Sequence, residues 1–517
     1  MPLISPHPLV AIPDIPLGEL VLRGAHAYPE RPAFVDAVSG RRLSFGELLE
    51  QVRRLAAGLS RRVHKGDVVA IWAPNVPEYA VVFHAVARLG AVLTTINPAY
   101  TNEEAAFQLR DSGARLLVTT AALSARARDL AAAASLPLEI VTIDAVPDLP
   151  SLDAIALDAE PPHVAIDPST DVIALPYSSG TTGLPKGVML THRNLVANLV
   201  QIDAIEVPGL TALAGVLPFF HIYGMVVIMN FGLMRGATVV TLPRFELEPF
   251  LQLLQDWPIA LAHVAPPIVV ALAKHPIVDR YDLSRVKWLF SGAAPLGAEL
   301  TETVERRLGV RVRQGYGMTE CSPACHYTVA GSERQGKVGV LVPGTECRIV
   351  DPISGADALA GGAGEVWVRG PQVMKGYLNS PEATAATVDA DGWLHTGDIG
   401  VVDGDGFLEV TDRLKELIKV KGYQVAPAEL EALLLKHPSI ADAAVIPIPD
   451  DEAGERPKAF VVAKGPLTAE DVCAFVDAHV AHYKRLAAVA FIDTIPKSPS
   501  GKILRRVLVA QERSALP

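Results

Sequence analysis

Apolar positions along this chain switch between two periods. In SFGELLEQVRRLAAGL, Leu48, Val52, Leu55, Ala56 and Leu59 fall on one helical stripe, and Ser44 and Glu47 have the spacing of a capping box at its start. The run DVVAIWAP (Asp67 to Pro74) is continuously apolar, as a strand buried on both faces is. A helix from about Pro77 to Leu89, the strand AVLTTINP, a helix capped by Thr101 and Glu104 and the strand ARLLVTT follow. Helix and strand in turn predict parallel or mixed sheets wrapped by helices.

From Asp398 onward, turn residues and charges crowd together. GDIGVVDGDGFLEVTDRLKELIKVKGYQVAP reads as short antiparallel strands with a hairpin at Lys421-Gly422. A helix opened by Pro427 and carrying Leu430, Leu433 and Leu434 comes next. Then follow the strands ADAAVIPI and KAFVVAKG, a helix capped at Thr468 and a final strand, VAFIDTIP. The expected fold is α/β: a large N-terminal domain over residues 1–413 and a small α+β domain over residues 414–517.

Composition narrows the partners. At 517 residues the chain exceeds the size of a single core, and half its residues are apolar. A formal net charge of -11 argues against nucleic acid or an anionic membrane surface as a general partner, so any anionic ligand must meet locally placed cations. Four cysteines make no disulfide framework and suit a reduced cytoplasm. Cys321, Cys325 and His326 lack the second ligand pair that a zinc site needs. MPLISPHPLVAIPDIP has no basic start and is broken by prolines, unlike a signal peptide. The longest apolar run, MVVIMNFGLM (Met225 to Met234), is too short to span a bilayer and reads as a buried helix.

Candidate chemistry concentrates in PYSSGTTGLPKGVMLTH (Pro176 to His192), directly after the strand pattern DVIALP. Ligands of α/β sheets gather at such strand ends. Glycines 180, 183 and 187 allow close backbone approach, the hydroxyls of Ser178, Ser179, Thr181 and Thr182 can bond phosphate oxygens, and Lys186 adds a mobile positive charge. No G-x-x-x-x-G-K-[ST] pattern runs through it, so it is not a Walker loop.

Other segments extend the pattern: PFFHIYG (Pro218 to Gly224), SGAAPLG (Ser291 to Gly297), QGYGMTE (Gln314 to Glu320), WLHTGDIG (Trp393 to Gly400), DRLKELIKVKGYQVAPAELE (Asp412 to Glu431) and PKSPSGKILRR (Pro496 to Arg506). In order and wording, from about residue 20 to 506, these segments resemble the adenylate-forming superfamily of acyl-CoA synthetases, 4-coumarate-CoA ligases and luciferases, and within it the bacterial aryl-acid CoA ligases.

The resemblance implies a two-step reaction with ATP, Mg2+ and coenzyme A. A carboxylate attacks the α-phosphorus to give an acyl-adenylate and pyrophosphate, and a CoA thiolate then displaces AMP. Both steps bring anions together, so positioned cations and donors must carry much of the catalysis. By resemblance, the loop from Ser178 through Gly180 and Gly183 to Lys186 holds the β- and γ-phosphates. Gly292, Ala293 and Ala294 line the adenine, with Gln314, Gly315, Tyr316, Gly317 and Met318 at its edge and face. Thr319 binds the α-phosphate and Glu320 holds the metal. Asp398 accepts the ribose hydroxyls, and Arg413 reaches the same sugar. Lys502 bridges the carboxylate and the α-phosphate during adenylation. Lys415 is the hinge about which the small domain rotates, presenting the face with Lys419, Lys421, Gly422 and Gln424 for thioester formation.

His221 and Tyr223 fall in the family's acyl pocket, with Val227, Phe290, Gly315, Pro323 and Ala324 as further wall candidates. No acidic residue lies between Leu213 and Phe245, where amino-acid-activating relatives carry an aspartate, so an uncharged tail is expected. Phe290, a rigid aromatic at the pocket floor, favours a compact aryl acid such as a benzoate or anthranilate, with cinnamate and coumarate next. A medium-chain fatty acid, a carrier protein in trans as acyl acceptor, and a homodimer stay open at this point, although no carrier domain is appended before Pro517.

Overall fold

Ser44 accepts the Glu47 N–H at 3.2 Å and Glu47 accepts the Ser44 N–H at 2.7 Å, closing the capping box that starts the helix Phe45–Leu59. Thr101 with Glu104 does the same for Asn102–Ser112, and Thr468 with Asp471 for Ala469–Asp477. The computed structural model describes residues 2–178, 185–414, 416–420, 423–450, 453–498 and 501–515, without the side chains of Tyr423, Gln424, Arg513 and Ala515. The sequence-predicted site residues Ser179, Gly180, Thr181, Thr182, Gly183, Lys415, Lys421 and Gly422 lie outside the described residues, as does the Gln424 side chain.

Three sheets form the large N-terminal lobe's α/β body. In one, Glu139–Thr142, Ala114–Thr119, Val68–Trp72, Val92–Thr95 and Val172–Ala174 run parallel, and Lys186–Thr191 and Gly376–Tyr377 add an antiparallel margin. A second joins Ala212–Gly215, Thr238–Thr241 and Pro32–Asp36 in parallel. The third runs Leu261–Val264, Trp288–Ser291 and Arg311–Gly317 in parallel, followed by Ala324–Tyr327 in the opposite sense. Their near-continuous apolar strands are buried on both faces, as parallel strands under crossover helices must be. One cluster of buried side chains, including Phe34, Phe45, Phe83, Phe219 and Phe250, joins these elements.

The turn-rich stretch after Asp398 first completes a fourth, antiparallel sheet of this lobe, made of Glu346–Val350, Gly364–Arg369, Leu394–Val402 and Leu408–Arg413. A fifth sheet follows: Tyr423–Val425, Ile418–Val420, Gly454–Ala463 and Ile440–Asp450, with Ala488–Phe491 added in parallel. Its strand Ile440–Asp450 alternates faces. Val445 joins a core with Leu430, Leu434 and Val472, while Ala444 and Ile446 meet Phe460, Ile495 and Leu508 on the other side. Leu508 comes from the helix Arg505–Ala515, which the apolar pattern did not predict.

Two other expectations shift in detail. The strand expected over VAFIDTIP ends at Phe491, before Asp493 and Pro496, residues that fit ladders poorly. MVVIMNFGLM is a buried helix as expected, but Gly224–Asn230 is wound in the wider π form before Phe231–Met234 resumes the α form. A Cβ at Gly224 would stand 2.2 Å from the Pro218 carbonyl oxygen, so only glycine fits where this helix leaves PFFHIYG. Among the described residues, no helix is long and apolar enough to cross a membrane.

Candidate active site

Tyr177–Ser178 pairs antiparallel with Lys186–Thr191, Ser178 opposite Lys186, at the rim of the first sheet. Tyr177 donates its hydroxyl to Asp111 at 2.7 Å, tying this hairpin to the helix Asn102–Ser112. The Lys186 ammonium lies 5.6 Å from the centre of the Tyr377 ring, and the Tyr377 hydroxyl donates to Glu320 Oε1 at 2.8 Å. One aromatic therefore joins the hairpin lysine to the carboxylate that follows Thr319. Burial and the Glu320 charge raise the Tyr377 phenol above its ordinary value, so it stays a donor.

Asp398 and Arg413 sit opposite each other in adjacent strands, with Arg413 Nε donating to Asp398 Oδ1 at 2.9 Å. Tyr316 donates its hydroxyl to Asp398 Oδ2 at 2.7 Å. Burial beside that carboxylate holds the Tyr316 phenol well above its usual range. Asp398 is 4 % exposed, which fixes its geometry from both sides. Ala293, in the small-residue segment after Ser291, has φ +73°. A non-glycine residue in that region is strained, and strain of this kind collects at ligand sites.

The third sheet forms the other wall. His263, Phe290 and Arg313 are register neighbours on three parallel strands, so their side chains share one face. Phe290 stacks on Tyr327 with ring centres 4.3 Å apart, and Arg313 lies 5.3 Å from both rings. Arg313 donates to Glu206 at 2.8 and 3.2 Å, with neither side chain exposed, and Tyr327 donates to the same carboxylate. A Cβ at Gly315 would lie 2.9 Å from the Phe290 ring, and one at Gly292 2.9 Å from Tyr223 Cε1. Both positions need glycine so that the backbone can lie against these rings. Val227, Pro323 and Ala324 are buried; the Pro323 carbonyl accepts the Met318 N–H at 2.9 Å and would clash with any side chain at Gly317.

Lys502 arrives from the other lobe. Its loop is closed by Ser498 N–H to the Lys502 carbonyl (2.7 Å) and Gly501 N–H to the Ser498 carbonyl (2.8 Å). A Cβ at Gly501 would stand 2.7 Å from Pro267 Cδ, so the loop rests directly on the N-terminal lobe at the start of Pro266–Lys274. Lys502 keeps solvent access as a residue, yet surrounding protein and Arg413 lower its pKa, while Asp398, Glu320 and Glu416 oppose that fall. His221 is pulled down to about 4 by burial and by the Lys502 charge. Its Nδ1 accepts the Tyr223 N–H at 3.3 Å, which leaves the proton of the neutral ring on Nε2. The structure thus brings Glu320, Asp398, Arg413, His221 and Lys502 into one cleft. Lys419, by contrast, is exposed on Ile418–Val420, its backbone N–H donated to Glu455 at 2.8 Å.

Glu206, His263, Tyr327 and Tyr377 carry no motif of their own in the sequence. The one available signal for His263 was a lone polar residue in an otherwise apolar strand, LAHV. Among the described residues no group of three His, Cys, Asp or Glu is arranged to hold a metal, and Cys325 instead donates its thiol to the Tyr316 carbonyl at 3.4 Å.

A family model described as AMP-binding enzyme matches residues 21–378, and one described as AMP-binding enzyme C-terminal domain matches residues 429–502. The chain belongs to the AMP-binding enzyme family. Among its relatives, 4-coumarate--CoA ligase 5 of Oryza sativa subsp. japonica is 45% identical, with 99% of this chain and 97% of the relative covered. The 4-coumarate--CoA ligase 2 of Petroselinum crispum is 42% identical over 98% of this chain and 96% of its own. ATP-bound MatB from Rhodopseudomonas palustris superposes with a TM-score of 0.87 at 28% identity, covering 97% of this chain and 100% of that one. The anthranilate CoA ligase AuaEII, in complex with anthranoyl-AMP, gives 0.87 at 26% identity and covers 98% of each chain.

Proposed function

We propose that this enzyme is an ATP-dependent aryl-carboxylate:CoA ligase, forming an acyl-adenylate and then an acyl-CoA thioester, with residues 414–517 as the mobile unit. The observation that carries the proposal is the convergence of Lys502 with Asp398, Glu320 and Arg413 across the cleft between the lobes. Two anions, a carboxylate and a phosphate, repel unless a cation sits between them. Lys502 would take that role, and a preorganised ammonium at a developing charge is worth about 10²–10³ in rate. Thr319 and Lys186 would hold phosphate oxygens on the same side. Asp398, held by Tyr316 and Arg413, would take the ribose hydroxyls. The loop residues Ser178 to Lys186 would cradle the remaining phosphates.

Glu320 presents one carboxylate, braced by Tyr377, beside the phosphate hairpin. A single carboxylate completed by phosphate oxygens and water suits Mg2+, which it would hold to offset triphosphate charge. His221, neutral at working pH, can donate from Nε2 to the acid's carboxylate, which has no proton for a base to remove. With Gly501 against Pro267, the lysine loop would serve adenylation from the N-terminal lobe; rotation about Lys415 would withdraw it and bring Lys419, Lys421, Gly422 and Gln424 towards CoA.

An aryl substrate is supported by the flat wall of Phe290 and Tyr327, by the 4-coumarate--CoA ligases among the relatives and by the anthranoyl-AMP in complex with AuaEII. The test is CoA-dependent AMP release over benzoates, anthranilate, cinnamates and saturated fatty acids from hexanoate to dodecanoate. Turnover of aryl acids with free CoA is expected. Turnover of fatty acids alone would refute the aryl assignment, and release of AMP only when a carrier protein is supplied would refute CoA as acceptor.

A further inference from the structure

His263 is almost wholly buried, yet among the described residues its Nε2 has no hydrogen-bond partner, a combination that buried polar atoms avoid. The other ring nitrogen is engaged: Nδ1 lies 3.1 Å from the Tyr223 hydroxyl oxygen. Tyr223 has one proton, and it donates that proton to the Phe290 carbonyl at 3.2 Å, a group that can only accept. The Nδ1–Tyr223 contact therefore needs its hydrogen from the imidazole. With the proton on Nδ1 and the ring neutral, Nε2 carries a bare lone pair.

Its surroundings say which end of a ligand it meets. The ring packs edge-on to Tyr223 at 5.7 Å and tilts against Phe290 at 5.3 Å, two residues of the aryl wall. The charges that act on it are Glu206 and Arg313, whereas the charge that acts on His221 is Lys502. Tyr223 spans the two histidines: its backbone N–H meets His221 Nδ1 and its hydroxyl, at the far end of the side chain, meets His263 Nδ1, so His221 lies on the Lys502 side and His263 one tyrosine ring away beside Phe290.

We propose that His263 Nε2 is a specificity-determining acceptor for a donor group, a hydroxyl or a primary amine, at the end of the aryl acid distant from its carboxylate. The inference rests on the aryl-acid reading above and sharpens its substrate class. An unsubstituted ring or a methoxy group supplies no hydrogen and leaves Nε2 buried and unpaired, so such acids bind less well in both ground and transition states.

The experiment compares kcat/KM for 4-hydroxycinnamate, cinnamate and 4-methoxycinnamate, and for 4-aminobenzoate against benzoate, in the parent enzyme, His263→Leu and His263→Gln. The parent should favour each donor-bearing acid by about tenfold, the worth of one buried neutral hydrogen bond. H263L should bring each ratio to within about twofold of unity, and H263Q, which restores an acceptor oxygen, should recover part of it. Ratios are read because a general loss of fold or activity lowers all acids together. A parent enzyme that turns over aryl acids without favouring donors, or an H263L variant that keeps the preference, overturns the assignment and leaves the aryl-ligase reading intact. Turnover confined to fatty acids overturns both.

Discussion

Glu206→Gln removes one charge from a pair that no water reaches. Arg313 and Glu206 have no exposed side-chain surface and share two hydrogen bonds at 2.8 and 3.2 Å, so the variant strands a guanidinium with only the Thr328 carbonyl, 2.8 Å from Nε, and a neutral amide. Breaking one partner of such a pair costs about 3–5 kcal/mol, against about 0–1 for a surface pair. Arg313→Met is the milder change. Glu206 keeps the Val207 N–H at 2.7 Å and the Tyr327 hydroxyl as hydrogen-bond partners. The double variant E206Q/R313M should lose less than the sum of the two, because no charge is left unpaired. Urea unfolding of the four proteins, followed by intrinsic fluorescence, measures each term. Aryl-acid KM should rise in E206Q, since Arg313 backs the Phe290 ring. A cost below about 1 kcal/mol for E206Q, or strict additivity in the cycle, would refute the reasoning.

Lys502→Ala should slow acyl-adenylate formation by about 10²–10³ while leaving CoA transfer from supplied acyl-adenylate within about tenfold, measured as pyrophosphate release and thioester formation separately. Ala293→Gly should relieve the cost of φ +73° and raise stability by about 1 kcal/mol in thermal unfolding, with a weaker KM for ATP as the segment loses its fixed shape. Acid should destabilise the fold through buried histidines: burial lowers His84 and His326 to about 3, and His192 and His263 to about 4. The unfolded chain takes up these protons below its value of about 6.5 and the folded one does not, so the stability is full above that pH and lost as pH falls towards 4. By about pH 5.5 each should cost about 1–1.5 kcal/mol, visible as a falling unfolding midpoint in differential scanning fluorimetry.

Much of the architecture was legible because helix caps and buried strands are local. Ser44, Thr101 and Thr468 announce their helices through residues three positions away. The helix Arg505–Ala515 was not, since its apolar contacts, Leu508 foremost, are made with a strand some 60 residues earlier in sequence. The site divides the same way. Asp398, Arg413 and Lys502 stand in segments whose wording carries them, whereas Tyr377 becomes significant only when Gly376–Tyr377 pairs beside Lys186–Thr191 and its hydroxyl reaches Glu320. His263, Phe290 and Arg313 are spread over fifty residues and become neighbours only through the register of three parallel strands.

Acid-dependent exchange of labelled pyrophosphate into ATP, in the absence of CoA, tests the adenylation step by itself. The purified enzyme with Mg2+ and a 4-hydroxylated cinnamate should catalyse this exchange, and Lys502→Ala should slow it by about 10²–10³. Exchange that is absent with every aryl acid, or that survives unchanged without Lys502, would contradict the account.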